Sequence, residues 1–383
     1  MSKLKEPEFV FLGEGALEKA ESEIRKLGKK ALIVTSPSMV RQGHVKDLKE
    51  MLKKMEIGSA VFDDIRSEPT DAHVNRGTDI YKDNDCDCLI AIGGGSPIDC
   101  AKAIGAMLVN TGNVRDHNGC TFDRPIPPLA TIPSTGGTGA EATNRAIITD
   151  TENNIKMLLK GDVLLPRIAV VDPRFSMECP LNVTVATGLD ALTHAVEAYT
   201  SRKASKESDE LAIIAVKRIF KNLPLLVKDL SCAEARREMA FAAYEAGVCI
   251  NNAAVTIVHG MSRPIGAYFH VPHGISNAML LEKCLSYVVD GGISRFAGLA
   301  GAVGLETAGD SERVLADKFI KALGDICRFC KVLTLGEYGI DKEKFFAVMD
   351  KMAQDALDSG SPANTLKELT KEDILTVYRS LWQ

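Results

Sequence analysis

The sequence has no run of eighteen apolar residues, and its opening, MSKLKEPEF, lacks the apolar core of a secretory leader. A membrane span and export are therefore not expected, and the protein is expected to be cytoplasmic. Excess charge of one sign is missing too: 46 Lys and Arg stand against 51 Asp and Glu, interspersed, for a net of −5. This balance argues against a nucleic-acid footprint and against a polybasic membrane surface, and leaves a small molecule as the natural partner. Ten cysteines in 383 residues are too dilute for a disulfide scaffold, and several, such as Cys100, Cys249 and Cys284, sit in apolar periodic segments. The one CxxC, Cys327 to Cys330, has no second CxxC or nearby His pair and reads as ordinary thiols. No repeat, low-complexity segment or long linker interrupts the chain.

What is present suffices for two cores, since 383 residues with 45% apolar content exceed what one core usually serves. Up to about residue 180, short β-branched runs (EFVFLG, KALIVT, SAVFDD, DCLIAIGG, PLATIP, RAIIT, RIAVVDP) alternate with amphipathic segments closed by Gly28 and Gly58. That alternation predicts a parallel, doubly wound sheet. After VDPRFSMECP the strand signals nearly vanish and Ala- and Leu-rich helical patterns follow. The expected division is an α/β domain over 1–180 and an all-α domain over 181–383, with a ligand cleft between them.

Two loops in the first half carry phosphate-binding character. In LIAIGGGSPIDCAKAIG, residues 89–105, a buried strand meets Gly93, Gly94 and Gly95, with Ser96 as the expected N-cap and Pro97 at the first helical position. It is neither GxGxxG nor a Walker loop. A second glycine-rich loop, TIPSTGGTGAEATNRA at 131–146, offers hydroxyls from Ser134, Thr135, Thr138 and Thr143. Two such loops at strand ends suit a dinucleotide.

In the second half, VHGMSRPIGAYFHVPHG, residues 258–274, holds three of the seven histidines. His259 and His273 within it, together with Asp190 and His194 four apart on one helical face, make one carboxylate and three imidazoles. This set suits a divalent first-row ion with a further position for a substrate oxygen.

Taken together, GGGSPIDCAKAIG, IPSTGGTGAEAT, GLDALTHAVEAY and HGMSRPIGAYFHVPHG resemble the iron-dependent, group III alcohol dehydrogenases of the dehydroquinate synthase-like superfamily. The resemblance implies a Rossmann-like dinucleotide-binding domain followed by a helical, metal-binding catalytic domain. It implies a metal held by Asp190, His194, His259 and His273, with iron expected and zinc or another divalent ion admissible. It also implies cofactor contacts at Gly94, Gly95, Ser96, Asp99, Ser134 and Thr138, and at Lys156 beside the nicotinamide ribose. A homodimer or higher homo-oligomer, paired through EFVFLG, is expected as in relatives.

Three departures bear on specificity. Ser36 stands where many members carry an aspartate that repels a 2′-phosphate, so NADP is not excluded; NAD is expected because no Arg or Lys closely adjoins it. Arg263 replaces a histidine, and ANTLK at 363–367 replaces a GNPR-like stretch. The expected reaction is metal-assisted hydride transfer between the nicotinamide and a small primary alcohol or aldehyde, with His270 as proton relay. Arg263 suggests a substrate ending in a carboxylate or sulfonate, of the succinic semialdehyde or sulfoacetaldehyde type. The alternatives are a dehydroquinate synthase-like lyase and a metal-binding scaffold without turnover.

Overall fold

Aliphatic runs of the first half form β1 (Phe9–Leu12), β2 (Lys30–Thr35), β3 (Gly58–Phe62), β4 (Cys88–Gly93), β5 (Leu129–Pro133), β6 (Arg145–Asp150), β7 (Ile155–Lys160) and β8 (Ile168–Val171). Six of them make one parallel sheet in the order β1-β8-β5-β4-β2-β3. β2, β4 and β5 are buried along almost their whole length, which is why they read as continuous apolar runs rather than as alternation. The computed structural model describes residues 4–153 and 155–383. The chain divides into two units, Lys5–Cys179 and Pro180–Gln383. No single helix among the described residues is long and apolar enough to cross a membrane.

Three local features differ from the sequence expectation. RAIIT is a strand but not part of the parallel sheet: β6 pairs antiparallel with β7, a strand in IKMLLK that carried no distinctive signal. Gly58 does not close the helix before it. That helix, His44–Lys54, ends in a reverse turn at Glu56, whose φ is +62°, with Ile57 N–H on Leu52 O and Glu56 N–H on Lys53 O; Gly58 instead starts β3. Finally, Ser96 is not the N-cap of its helix. The helix spans Gly95–Val109, Gly94 is the cap, and Pro97 is the third helical residue. Proline is tolerated there because the first four helical N–H groups have no intrahelical acceptor. Gly93, at φ +149°, makes the preceding turn, and a Cβ on it would lie 2.8 Å from Pro97 Cγ.

Strand order reverses between β2 and β4, and the polar loops leave the carboxyl ends of β2, β4 and β5 there. The loop after β5 is locked against the 95–109 helix by Lys102, which is 0% exposed. Its ammonium donates to the carbonyls of Ala140, Thr143 and Arg145 at 2.6, 2.8 and 2.9 Å and to Thr143 Oγ1 at 3.0 Å. Burial lowers the Lys102 pKa to about 8, opposed by the nearby carboxylates of Asp99 and Glu141.

The second unit is helical. Leu181–Tyr199 packs against Lys206–Lys228, Ala233–Asn252 and His273–Val288, and Ile257–Phe269 packs against His273–Val288. Ser205 starts the 206–228 helix with a capping box, accepting from Ser208 N–H at 3.2 Å.

Replacing Lys102 by Met would leave three carbonyls of the loop without their charged donor. At about 1 to 3 kcal/mol for each buried group left unmatched, Lys102→Met is expected to destabilise the 5–179 unit by about 3 kcal/mol or more. Urea unfolding checks this; an unchanged midpoint would show that the loop does not depend on the lysine.

Candidate metal centre

Asp190 and His194 lie one turn apart on the 181–199 helix, His259 is in the first turn of 257–269, and His273 is the first residue of 273–288. Asp190 Oδ1 lies 3.8 Å from His194 Nε2, 3.6 Å from His259 Nε2 and 3.7 Å from His273 Nε2. All four donor atoms fall within 4.8 Å of one another. Four ligands held at about 2.1 Å around one ion stand about 3.4 Å apart in a tetrahedron, so the set fits a divalent metal with modest contraction.

Electrostatics favour a cation at the same point. Burial pushes the Asp190 carboxyl up, yet His194, His273 and hydrogen-bonded His259 outweigh it and hold the group well below the ordinary carboxylate range. Burial likewise pushes His259 down, and Glu197 and Asp190 more than reverse it. His194 and His259 are stacked with centroids 4.6 Å apart. Two charged imidazoles in that arrangement would repel, whereas one shared divalent ion satisfies both neutral rings and the carboxylate. Three of the four side chains are almost fully buried, while the His273 side chain is 38% exposed. The side of the centre open to solvent is therefore that of His273.

Two residues of the site escaped the sequence reading. Glu197, one further turn along the Asp190–His194 face, is fully buried and reaches His259 Nδ1 at 2.5 Å. Asn277, one turn after His273, donates from Nδ2 to Asp190 Oδ1 at 2.8 Å and faces the Nε2 atoms of His259 and His273 at 3.1 and 3.2 Å. The i, i+4, i+7 spacing of Asp190, His194 and Glu197 was the signal available for the first; nothing marked the second.

The other candidates are dispersed. His270 is exposed and ends the 257–269 helix with φ +54°. Arg263, one turn after His259, is half-buried, and its Nη1 donates to Ser361 Oγ at 2.9 Å. In the 5–179 unit the two glycine-rich loops touch: a Cβ on Gly95 would lie 2.9 Å from Thr138 Cγ2, and one on Gly94 would lie 3.4 Å from Thr135 Cγ2. Ser96 is half-buried beside them, Ser134 N–H donates to Gly93 O at 2.8 Å, and Ser36 Oγ lies 2.7 Å from Ser38 Oγ at the end of β2. The Thr135 hydroxyl is buried with no hydrogen-bond partner among the described residues, a donor that a nucleotide oxygen would satisfy. Thr143 and Asp99 face inward instead. The Thr143 hydroxyl belongs to the Lys102 shell, and Asp99 Oδ2 accepts from Ile147 N–H at 2.9 Å, fastening β6. Lys156 is ion-paired with Glu68 at 2.7 Å.

A parallel sheet with paired polar loops and a buried Asp–His₃ centre fit a metal-dependent enzyme that binds a nucleotide. The family models agree: iron-containing alcohol dehydrogenase matches residues 7–173, and the C-terminal model of the Fe-containing alcohol dehydrogenase family matches 184–382. The chain is 32% identical to the NAD-dependent methanol dehydrogenase of Bacillus methanolicus, over 98% of both chains, and 32% identical to the 1,3-propanediol dehydrogenase of Klebsiella pneumoniae, over 97% of both. A crystal structure of 1,3-propanediol oxidoreductase superimposes with a TM-score of 0.95 at 31% identity, covering 100% of each chain. The chain belongs to the iron-containing alcohol dehydrogenase family. Membership sets aside the lyase and the scaffold without turnover.

His259→Ala or His273→Ala is expected to remove bound metal and turnover together while leaving the 5–179 unit folded. Elemental analysis beside circular dichroism checks this, and a variant that keeps both metal and activity would contradict the ligand assignment.

Proposed function

We propose that the protein interconverts a small primary alcohol and its aldehyde with NAD as hydride carrier. The observation that carries this reading is the convergence of Asp190, His194, His259 and His273 on one point, three of them buried and His273 open on one side. In the oxidising direction NAD, when bound, would take up a hydride from the carbinol carbon, and exposed His270 would pass the hydroxyl proton to solvent. When bound, the metal supplies a Lewis acid for the reacting oxygen. The 5–179 unit is the dinucleotide-binding domain in this reading, and 180–383 the catalytic one. Ser36 carries no charge to repel a 2′-phosphate, and the cation nearest to it in sequence, Arg41, is at the end of the following helix. The cofactor is accordingly NAD, as it is for the NAD-dependent methanol dehydrogenase of Bacillus methanolicus. The reading also makes the protein a cytoplasmic homo-oligomer, a view supported by the edge position of β1, where Leu12 is 42% exposed.

The finer part of the proposal is a substrate with a terminal carboxylate or sulfonate, held by Arg263. Arginine stays charged at working pH, cannot exchange protons as a histidine would, and presents a planar fork to an oxyanion. The bond from Arg263 to Ser361 favours a second reading, in which the guanidinium fastens the segment after the 342–358 helix. One assay separates the two: NADH-linked turnover of the metal-loaded enzyme with an anionic aldehyde such as succinic semialdehyde and a neutral one of equal length. Loss of a charged hydrogen bond worth roughly 1.5 to 3 kcal/mol means that Arg263→Met should lower kcat/KM for the anionic aldehyde by about 10- to 150-fold and spare the neutral one. Equal losses on both would assign Arg263 to Ser361.

A further inference from the structure

We infer that Glu197, which is not a ligand, determines which nitrogen His259 offers and thereby sets the metal affinity of the centre. The inference rests on the reading of Asp190, His194, His259 and His273 as ligands, and it concerns a residue to which no role has been attached.

Both Glu197 oxygens are committed as acceptors. Oε2 faces His259 Nδ1 at 2.5 Å, while Oε1 accepts from Thr256 Oγ1 at 2.7 Å and from Val258 N–H at 2.7 Å. The Val258 N–H belongs to the first turn of the 257–269 helix, where amides have no intrahelical acceptor, and it cannot reverse its polarity. On the far side of the ring, Asn277 Nδ2, with two N–H groups to give, lies 2.8 Å from Asp190 Oδ1, 3.1 Å from His259 Nε2 and 3.2 Å from His273 Nε2. The Glu197 carboxylate requires the proton on Nδ1, which in the neutral ring leaves the lone pair on Nε2. Glu197 thus specifies one tautomer of the neutral ring, with Nε2 turned toward Asp190, 3.6 Å away. Glu197 also ties the helix that carries His259 to the helix that carries Asp190 and His194, so one side chain fixes both the orientation of the ring and its protonation.

Glutamine in its place faces a conflict that it cannot resolve. If the new NH₂ lies against His259 Nδ1, two donors oppose each other until the ring proton moves to Nε2, which removes the lone pair the metal needs. If the NH₂ turns the other way, it meets the Val258 N–H and disrupts the start of the helix that holds His259. Either outcome weakens metal binding. Thr256→Val removes one bond to Oε1 without touching the tautomer, and so reports the packing contribution alone.

The test compares wild type, Glu197→Gln and Thr256→Val by competition of a chelator for Zn²⁺ and by long-range ¹⁵N–¹H NMR of imidazole-labelled protein. Zn²⁺ affinity is expected to fall about 10- to 100-fold in Glu197→Gln and far less in Thr256→Val. Measured where the ring is neutral, the wild-type His259 should show its proton on Nδ1, with and without Zn²⁺. Equal Zn²⁺ affinity in Glu197→Gln and wild type would overturn the inference, as would a wild-type His259 whose neutral ring carries its proton on Nε2. The wild-type tautomer decides the matter even if Glu197→Gln does not fold. A wild type that binds no Zn²⁺ would instead defeat the ligand assignment, and the tautomer measured on the same sample would still decide the part played by Glu197.

Discussion

A carboxylate buried among three imidazoles is the constraint to which the helical unit is fitted. Asp190 is 3% exposed, and without a cation at the point where His194, His259 and His273 converge its burial would be costly. Three helices must approach closely to build that point, and the glycine after each of the two later histidines lies against other backbone, Gly274 on the 181–199 helix and Gly260 on the 362–364 turn. A Cβ on Gly260 would lie 2.7 Å from Pro362 Cδ, and one on Gly274 would lie 2.3 Å from the Ala186 carbonyl oxygen. The repeated His-Gly pair is therefore a packing device beside a donor, and Gly274 lets the helix that carries His273 come near the helix that carries Asp190 and His194.

A buried cation plays the corresponding part in the other unit, except that the chain supplies it. Lys102 gathers three backbone carbonyls and a hydroxyl from the loop after β5 onto the helix after β4, so two loops that are 40 residues apart in sequence form one polar surface. Desolvation raises the pKa of Asp99 to about 6 and that of Glu141 to about 7, and the ammonium of Lys102 opposes both shifts. The glycines of the first loop are bare in part because the second loop rests on them, which adds a reason for Gly94 and Gly95 beyond access for a phosphate.

Much of this was legible in the sequence because strands buried on both faces leave unbroken aliphatic runs, and because Asp190 and His194 share a helical face that the later histidines complete. What was not legible depended on tertiary partners. β7 lies in IKMLLK, whose alternation is too short to mark a strand until β6 pairs with it. Lys102 reads as a solvated helix residue, and only the fold shows the carbonyls around it. Glu197 and Asn277 look like polar positions of amphipathic helices, since their significance lies in residues 62 and 18 positions away, respectively. Ser96 and Gly58 were assigned by residue type, and the backbone instead placed the cap at Gly94 and the left-handed turn at Glu56.

The most direct test of the centre is X-ray absorption at the metal edge of the protein loaded with Fe²⁺ or Zn²⁺. The expected spectrum shows imidazole scattering from three histidines and a carboxylate oxygen in a first shell at about 2.0 to 2.2 Å, without sulfur. A shell containing sulfur, or one with fewer than three imidazoles, would contradict coordination by Asp190, His194, His259 and His273.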